Sequence, residues 1–134
     1  MTTQKHDDPD NPYPQSLVST IEVVYPSMCN QFNTLFGGVE LQRMDRAASI
    51  CATRYGRQTV VTIASDKIVF KSPIREGDMV ELRARVMSVG KTSVTVRVDM
   101  YSERPLTGRR QLATHGEAGA PLARLVARTV ARRS

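Results

Sequence analysis

Residues 37–55 read GGVELQRMDRAASICATRY, and the reading of this stretch decides the fold. After the glycine pair it contains neither proline nor glycine. Leu41, Met44, Ala48, Cys51 and Tyr55 recur at spacings of three and four, which is one apolar stripe on an α-helix. Gln42, Arg43, Arg46, Thr53 and Arg54 occupy the other side. The expected helix runs from Val39 to Tyr55, with Gly56 as its C-terminal cap. Ala47, Ala48, Ser49 and Ala52 are small enough to let it sit close against a surface.

Outward from the helix the period changes from 3.6 to 2. Upstream, Leu17 to Val24 is rich in Val, Ile and Thr and reads as a strand. Tyr25 to Phe36, with Pro26, Asn30 and Asn33, reads as a loop. Downstream, Thr59 to Phe70 is a long β-branched run, and Pro73 to Asp78 is a turn. Val80, Leu82, Ala84 and Val86 alternate with Glu81, Arg83, Arg85 and Met87. Val94, Val96 and Val98 alternate with Thr95, Arg97 and Asp99, and Gly90-Lys91 is the hairpin turn between the two runs. Glu103 to Gly108 turns again, and Arg109 to Thr114 is a last strand. Strands with one polar and one apolar face belong to an antiparallel sheet covered on one side. A helix with one apolar stripe is the natural cover. The expected class is α+β.

Residues 1–15 are polar and proline-bearing and are expected to be a flexible arm. Residues 16–116 form the domain. Residues 117–134 are a basic segment that reads as a helix: Leu122, Leu125, Val126 and Val130 are apolar, with Arg124, Arg128 and Arg132 spaced by four.

Composition narrows the chemistry. The 134 residues are 40% hydrophobic and 24% charged, an ordinary balance for one soluble domain. No run approaches the roughly 18 apolar residues of a membrane helix, and the first residues do not resemble a secretory signal, so a cytoplasmic protein is expected. Two cysteines, Cys29 and Cys51, make neither a zinc site nor a disulfide framework, and no metal site is expected. His6 and His115 are the only histidines, so carboxylates, amides and backbone dipoles must carry any catalysis. The net charge of +6 suits either solubility or an anionic partner. The arginines of residues 104–134 are not interleaved with aromatic residues, which disfavours nucleic acid as that partner.

Asp45 lies within the helix at the border of the apolar stripe, beside Leu41, Ala48 and Ser49, with no cation three or four residues away. A half-buried carboxylate there is a candidate base or nucleophile; the alternative is a solvated helix-edge aspartate. Gly37-Gly38 offers unpaired N–H groups at the helix start, or simply a tight turn. Asn30 and Asn33 stand just upstream as amide donors or turn residues. Asp66 is an aspartate within a strand, which suggests a bulge, an arginine partner or a site residue. Gly90, Lys91, Thr92 and Ser93 combine a turn glycine, a lysine and two hydroxyls, which suits either a phosphate or a plain hairpin.

Taken together, Asn30 to Gly38, Leu41, Met44-Asp45 and Ala47-Ala48 resemble the signature of the hotdog-fold acyl-CoA thioesterases. The branch is that of bacterial short-chain acyl-CoA hydrolases and the brain cytosolic acyl-CoA hydrolase. The similarity continues through Val61-Thr62, Asp66, Phe70, Pro73-Ile74, Gly77-Asp78 and Gly90 to Ser93, over about residues 17–115. The resemblance implies a long central helix wrapped by a curved antiparallel sheet. It implies a dimer, and possible assembly of dimers into a hexamer, with active sites at the dimer interface. It implies hydrolysis of acyl-CoA to free coenzyme A and a carboxylic acid, with no cofactor beyond the coenzyme A of the substrate. By the same resemblance, Asp45 would activate water or attack the thioester, and Asn30 of the opposite protomer would orient the reactants. Gly38 would polarise the carbonyl. Gly37, Asp66 and Gly90 to Ser93 would bind substrate. A non-enzymatic acyl-CoA-binding protein is the alternative. Where the family ends in an apolar strand, the helical reading of residues 117–134 predicts that the last strand is short or lost.

Overall fold

The computed structural model describes residues 13–57, 64–90 and 93–121. Strand β1 (Val18–Val23) leads through a loop to helix α1 (Gly37–Gly56). Strands β2 (Ala64–Phe70), β3 (Met79–Val89), β4 (Ser93–Glu103) and β5 (Arg110–Pro121) follow. They form one antiparallel sheet in the order β1-β3-β4-β5-β2. The central helix packed on this curved sheet is the hotdog fold.

Alternation along β3 and β4 puts Val80, Leu82, Ala84, Val86, Val94, Val96, Val98 and Met100 on the inner face, all buried. Helix α1 answers with Met44, Ala47, Ala48, Cys51 and Ala52. The helix is turned slightly from the expected stripe. Glu40 is buried and Leu41 is 41% exposed, because the sheet covers the 40/44/47/51 line and leaves 41/45 at its margin.

Several boundaries differ from expectation. The helix takes in Gly37 and Gly38, with Phe36 as N-cap. It ends on Arg57, not Gly56, as the left-handed C-cap residue (φ 58°), whose N–H donates to the Thr53 carbonyl. The expected flexible arm is docked from Tyr13 onward. Tyr13 meets the Tyr55 ring edge-on at 6.0 Å, and the Ser16 hydroxyl donates to the Tyr13 carbonyl at 2.6 Å. The last strand is not short. β5 has 12 residues and runs to Pro121, so the boundary at 116 falls inside it and residues 117–121 are strand, not helix. Unbroken pairing with β4, from Ser93↔Pro121 to Met100↔Thr114, overrides the helical pattern there. Residues 1–12 and 122–134 lie outside the described residues. Among the described residues no helix is long and apolar enough to cross a membrane.

Candidate active site

A groove of about 370 Å³ opens between α1 and the β2 side of the sheet. Leu41, Met44, Asp45 and Ala48 form the helix wall; Ile68, Val98, Gly116 and Ala118 form the sheet wall. The groove exists because its facing positions are small. Ile68 and Val98 both pair with Gly116, and Val96 pairs with Ala118. Where larger residues would have closed the gap to the helix, glycine and alanine leave it open. The Asp45 carboxylate stands at the rim of this apolar groove. It is exposed in the single chain, not half-buried, and has no hydrogen bond or ion pair with any described residue.

Asn30 lies elsewhere, in the loop that leads into α1. Its Oδ1 accepts from the Phe32 N–H at 2.9 Å, and from the N–H and hydroxyl of Thr34, both at 3.2 Å. Asparagine suits this knot because its side chain mimics a backbone turn. The carbonyl end is thereby fixed and the amide N–H₂ remains to donate. The loop is pinned to the helix start by the Phe36 N–H, which donates to the Met28 carbonyl at 2.9 Å. Asn33 has a positive φ of 61° and serves the turn.

Gly37 and Gly38 are the first two residues of α1, so their N–H groups have no partner within the helix. A Cβ on Gly38 would stand 3.1 Å from the Phe36 ring, whereas one on Gly37 would meet nothing within 4 Å. The positive end of the helix dipole adds to the pull of these donors on a carbonyl oxygen. Within one chain Gly38 and Asp45 are seven residues apart along the axis, about 10 Å. One protomer therefore does not bring Asp45 within hydrogen-bond reach of the Gly38 N–H.

The remaining expected residues divide. Asp66 sits at the register shift between Ser65 and Lys67, so its backbone forms a bulge. At the hairpin, the Gly90 N–H donates to the Ser93 carbonyl at 2.8 Å, which commits it to the turn. Lys91 and Thr92 lie outside the described residues. The sequence reading missed Glu40, a buried carboxyl that accepts the Thr114 hydroxyl at 2.6 Å. Burial raises its pKa and the Thr114 hydrogen bond offsets part of the rise. The helix sequence carries no signal for it, because Leu41 and not Glu40 continues the apolar stripe. Burial also pushes the Cys51 thiol up to about 12. Desolvation, with Glu76 nearby, raises Cys29 as well, so both are poor nucleophiles. Among the described residues no group of three His, Cys, Asp or Glu side chains is placed to hold a metal ion.

Comparison with known proteins agrees with this fold. The family model of the thioesterase superfamily matches residues 32–108. The uncharacterized acyl-CoA thioester hydrolase YkhA of Bacillus subtilis is 39% identical over 99 residues, which is 74% of this chain and 58% of that protein. The chain spans about half the length of the curated relatives it matches. A hexameric acyl-CoA thioesterase solved without ligand superposes with a TM-score of 0.80 at 33% identity, covering 83% of this chain and 71% of the other. An acyl-CoA hydrolase from Staphylococcus aureus, solved with butyryl coenzyme A and coenzyme A, superposes at 0.76 and 27% identity, covering 80% and 65%. Variants of that protein carry alanine in place of an aspartate, an asparagine and a threonine. These three have the same sequence separations as Asp45, Asn30 and Thr62 here. Thr62 lies outside the described residues.

Proposed function

The chain belongs to the thioesterase superfamily, and from that premise we propose that it hydrolyses acyl-CoA thioesters to coenzyme A and a carboxylic acid. The observation that carries this reading is the Asp45 carboxylate at the rim of an apolar groove. The groove accepts an acyl chain, and the carboxylate faces the point where a thioester carbonyl would enter. Asp45 either removes a proton from the attacking water or attacks the carbonyl itself. The carbonyl carbon gains an oxygen and its own oxygen becomes negative. The C–S bond then breaks and the sulfur of coenzyme A leaves, taking up a proton as the thiol. Where Asp45 is the nucleophile, water then hydrolyses the Asp45 anhydride so formed, which releases the acid and restores the carboxylate.

The site is completed by a second copy. Within one chain about 10 Å separate Asp45 from the Gly38 N–H, whereas an oxyanion donor must lie about 3 Å from the oxygen it stabilises. We assign Asp45 to one protomer and Gly38 with Asn30 to its partner. β2 is an edge strand, and Val69 (44% exposed) and Phe70 (54% exposed) leave apolar surface there. Pairing β2 with β2 of the partner covers that surface and continues the sheet. The hexamer among the similar structures supports further assembly of such dimers. The reaction needs no cofactor beyond the coenzyme A of its substrate, and we place it in the cytoplasm.

The test is thiol release from a panel of acyl-CoAs, short to long, with the wild type beside Asp45→Asn. The expected result is turnover in the wild type and a fall of about 10²–10⁴-fold in the variant, the range of a lost general base. Binding of acyl-CoA without turnover on any member would sink the hydrolase reading and leave an acyl-CoA-binding protein. Equal turnover in the variant would remove Asp45 from the mechanism.

A further inference from the structure

A second cavity, of about 230 Å³, lies at the end of the sheet opposite the β3–β4 hairpin. Its lining is polar and basic: Arg75, Asp78, Ser102, Arg104, Arg109 and Gln111. The sheet explains why they meet. Ser102 pairs with Gln111 across β4 and β5, so both side chains share a face. Arg104 and Arg109 follow at the turn, where the Arg104 N–H donates to the Arg109 carbonyl at 2.9 Å. Gly108, at a positive φ of 75°, makes that turn tight. Arg75 and Asp78 come over from the β2–β3 turn.

Three guanidiniums thus face one carboxylate. Asp78 is buried and already engaged: one oxygen accepts the Arg75 N–H at 3.1 Å, and the other meets Arg104 Nε at 3.3 Å. The guanidiniums of Arg75 and Arg109 have no carboxylate partner among the described residues. Ser102 is only 4% exposed, yet its hydroxyl opens on the cavity without a hydrogen-bond partner among the described residues. The Ser102 hydroxyl is thus an available donor beside converging cations.

We propose that this cavity binds a phosphoryl group. Arg75 and Arg109 supply charge-assisted hydrogen bonds, Arg104 its remaining N–H groups, and Ser102 and Gln111 neutral donors. The site shares no residue with the groove at Asp45, and the assignment does not depend on the hydrolase reading. The phosphoryl group comes either from the phosphates of a coenzyme A molecule or from a free phosphate ester.

The probe is inorganic pyrophosphate, titrated calorimetrically into the full chain at fixed ionic strength. Saturable binding is expected, weakened about tenfold or more in Arg109→Gln and in Arg75→Gln. Both arginines are exposed, so the variants should fold, and circular dichroism checks this. Arg54→Gln, on the distant end of α1, controls for general charge and should bind as the wild type does. Competition between pyrophosphate and coenzyme A would assign the site to the substrate's own phosphates; simultaneous binding would assign it to a separate ligand. Absence of saturable binding in the wild type, or equal weakening in all three variants, would overturn the proposal.

Discussion

The Thr114 hydroxyl on β5 donates to Oε1 of Glu40 on α1 at 2.6 Å, with both residues buried. Burial penalises the charged form of a carboxyl enclosed this way, and the Thr114 hydrogen bond offsets part of that. Its folded pKa lies above the ordinary value of 4.5, chiefly through burial. Between the unfolded and folded values the folded chain binds more protons, so stability falls as pH rises through that interval. Glu40→Gln keeps the oxygen that accepts from Thr114 and removes the charge. It should raise stability at pH 8 by on the order of 1 kcal/mol. Below 4.5, where the wild-type carboxyl is protonated in both states, the difference should vanish. Urea melts at the two pH values check this; equal effects at both would remove the charge from the account.

Ser16 joins the start of the chain to the sheet. Its Oγ accepts the Val86 N–H at 2.9 Å, beyond the last β1–β3 pair, Val18↔Ala84. Ser16→Ala leaves that buried N–H without a partner. The expected loss is about 1–3 kcal/mol, read as a lower denaturation midpoint with unchanged slope. A change within error would mean that water reaches Val86.

Local patterning made the core legible. Strict alternation in residues 80–86 and 94–98 named the buried face of β3 and β4 correctly. The phase of α1 is less legible, because Leu41 reads as part of the apolar stripe and is exposed, while Glu40, outside that stripe, is buried. Thr114 and the curve of the sheet decide which of the two turns inward, and neither is visible in the helix itself. The end of β5 was misread for a related reason: 117–121 pairs with β4 across the sheet, and long-range pairing outweighs local helical preference. Among the proposed site residues, Asp45 and Gly38 are named from type and position. The groove beside Asp45 is not, because Ile68, Val98, Gly116 and Ala118 come together only through sheet register.

The assignment of Asp45 and Asn30 to different protomers is testable by mixing. Asp45→Asn and Asn30→Ala chains should each be nearly inactive alone. Co-refolded, they form mixed dimers in which one of the two sites has both wild-type residues. About a quarter of wild-type activity should return, given random pairing and independent sites. No recovery despite mixed dimers, detected by a mass tag, would place both residues of a site on one chain.

Gly38→Ala separates catalysis from stability. The added methyl would stand 3.1 Å from the Phe36 ring, which is 56% exposed and free to turn aside. Alanine also favours the helix by up to about 1 kcal/mol. Thermal stability should therefore hold or rise, while kcat/KM falls at least tenfold as the methyl crowds the carbonyl oxygen. Gly37→Ala meets no atom within 4 Å and reads the effect of alanine on stability at the helix start without the Phe36 contact.

Ala118→Leu tests the groove as the acyl site. Ala118 lies on the sheet wall, opposite the helix wall that carries Asp45. Leucine there adds three heavy atoms to a cavity of about 370 Å³. Steric exclusion should scale with acyl length, because a short chain stays near the carbonyl and a long one must pass residue 118. Turnover of the longest accepted acyl-CoA should fall about tenfold or more, the discrimination that a few methylenes give in an apolar pocket. The shortest should change by less than about threefold. A uniform loss across the panel would mean that the substitution distorts the helix wall, and an unchanged profile would move the acyl chain out of this groove.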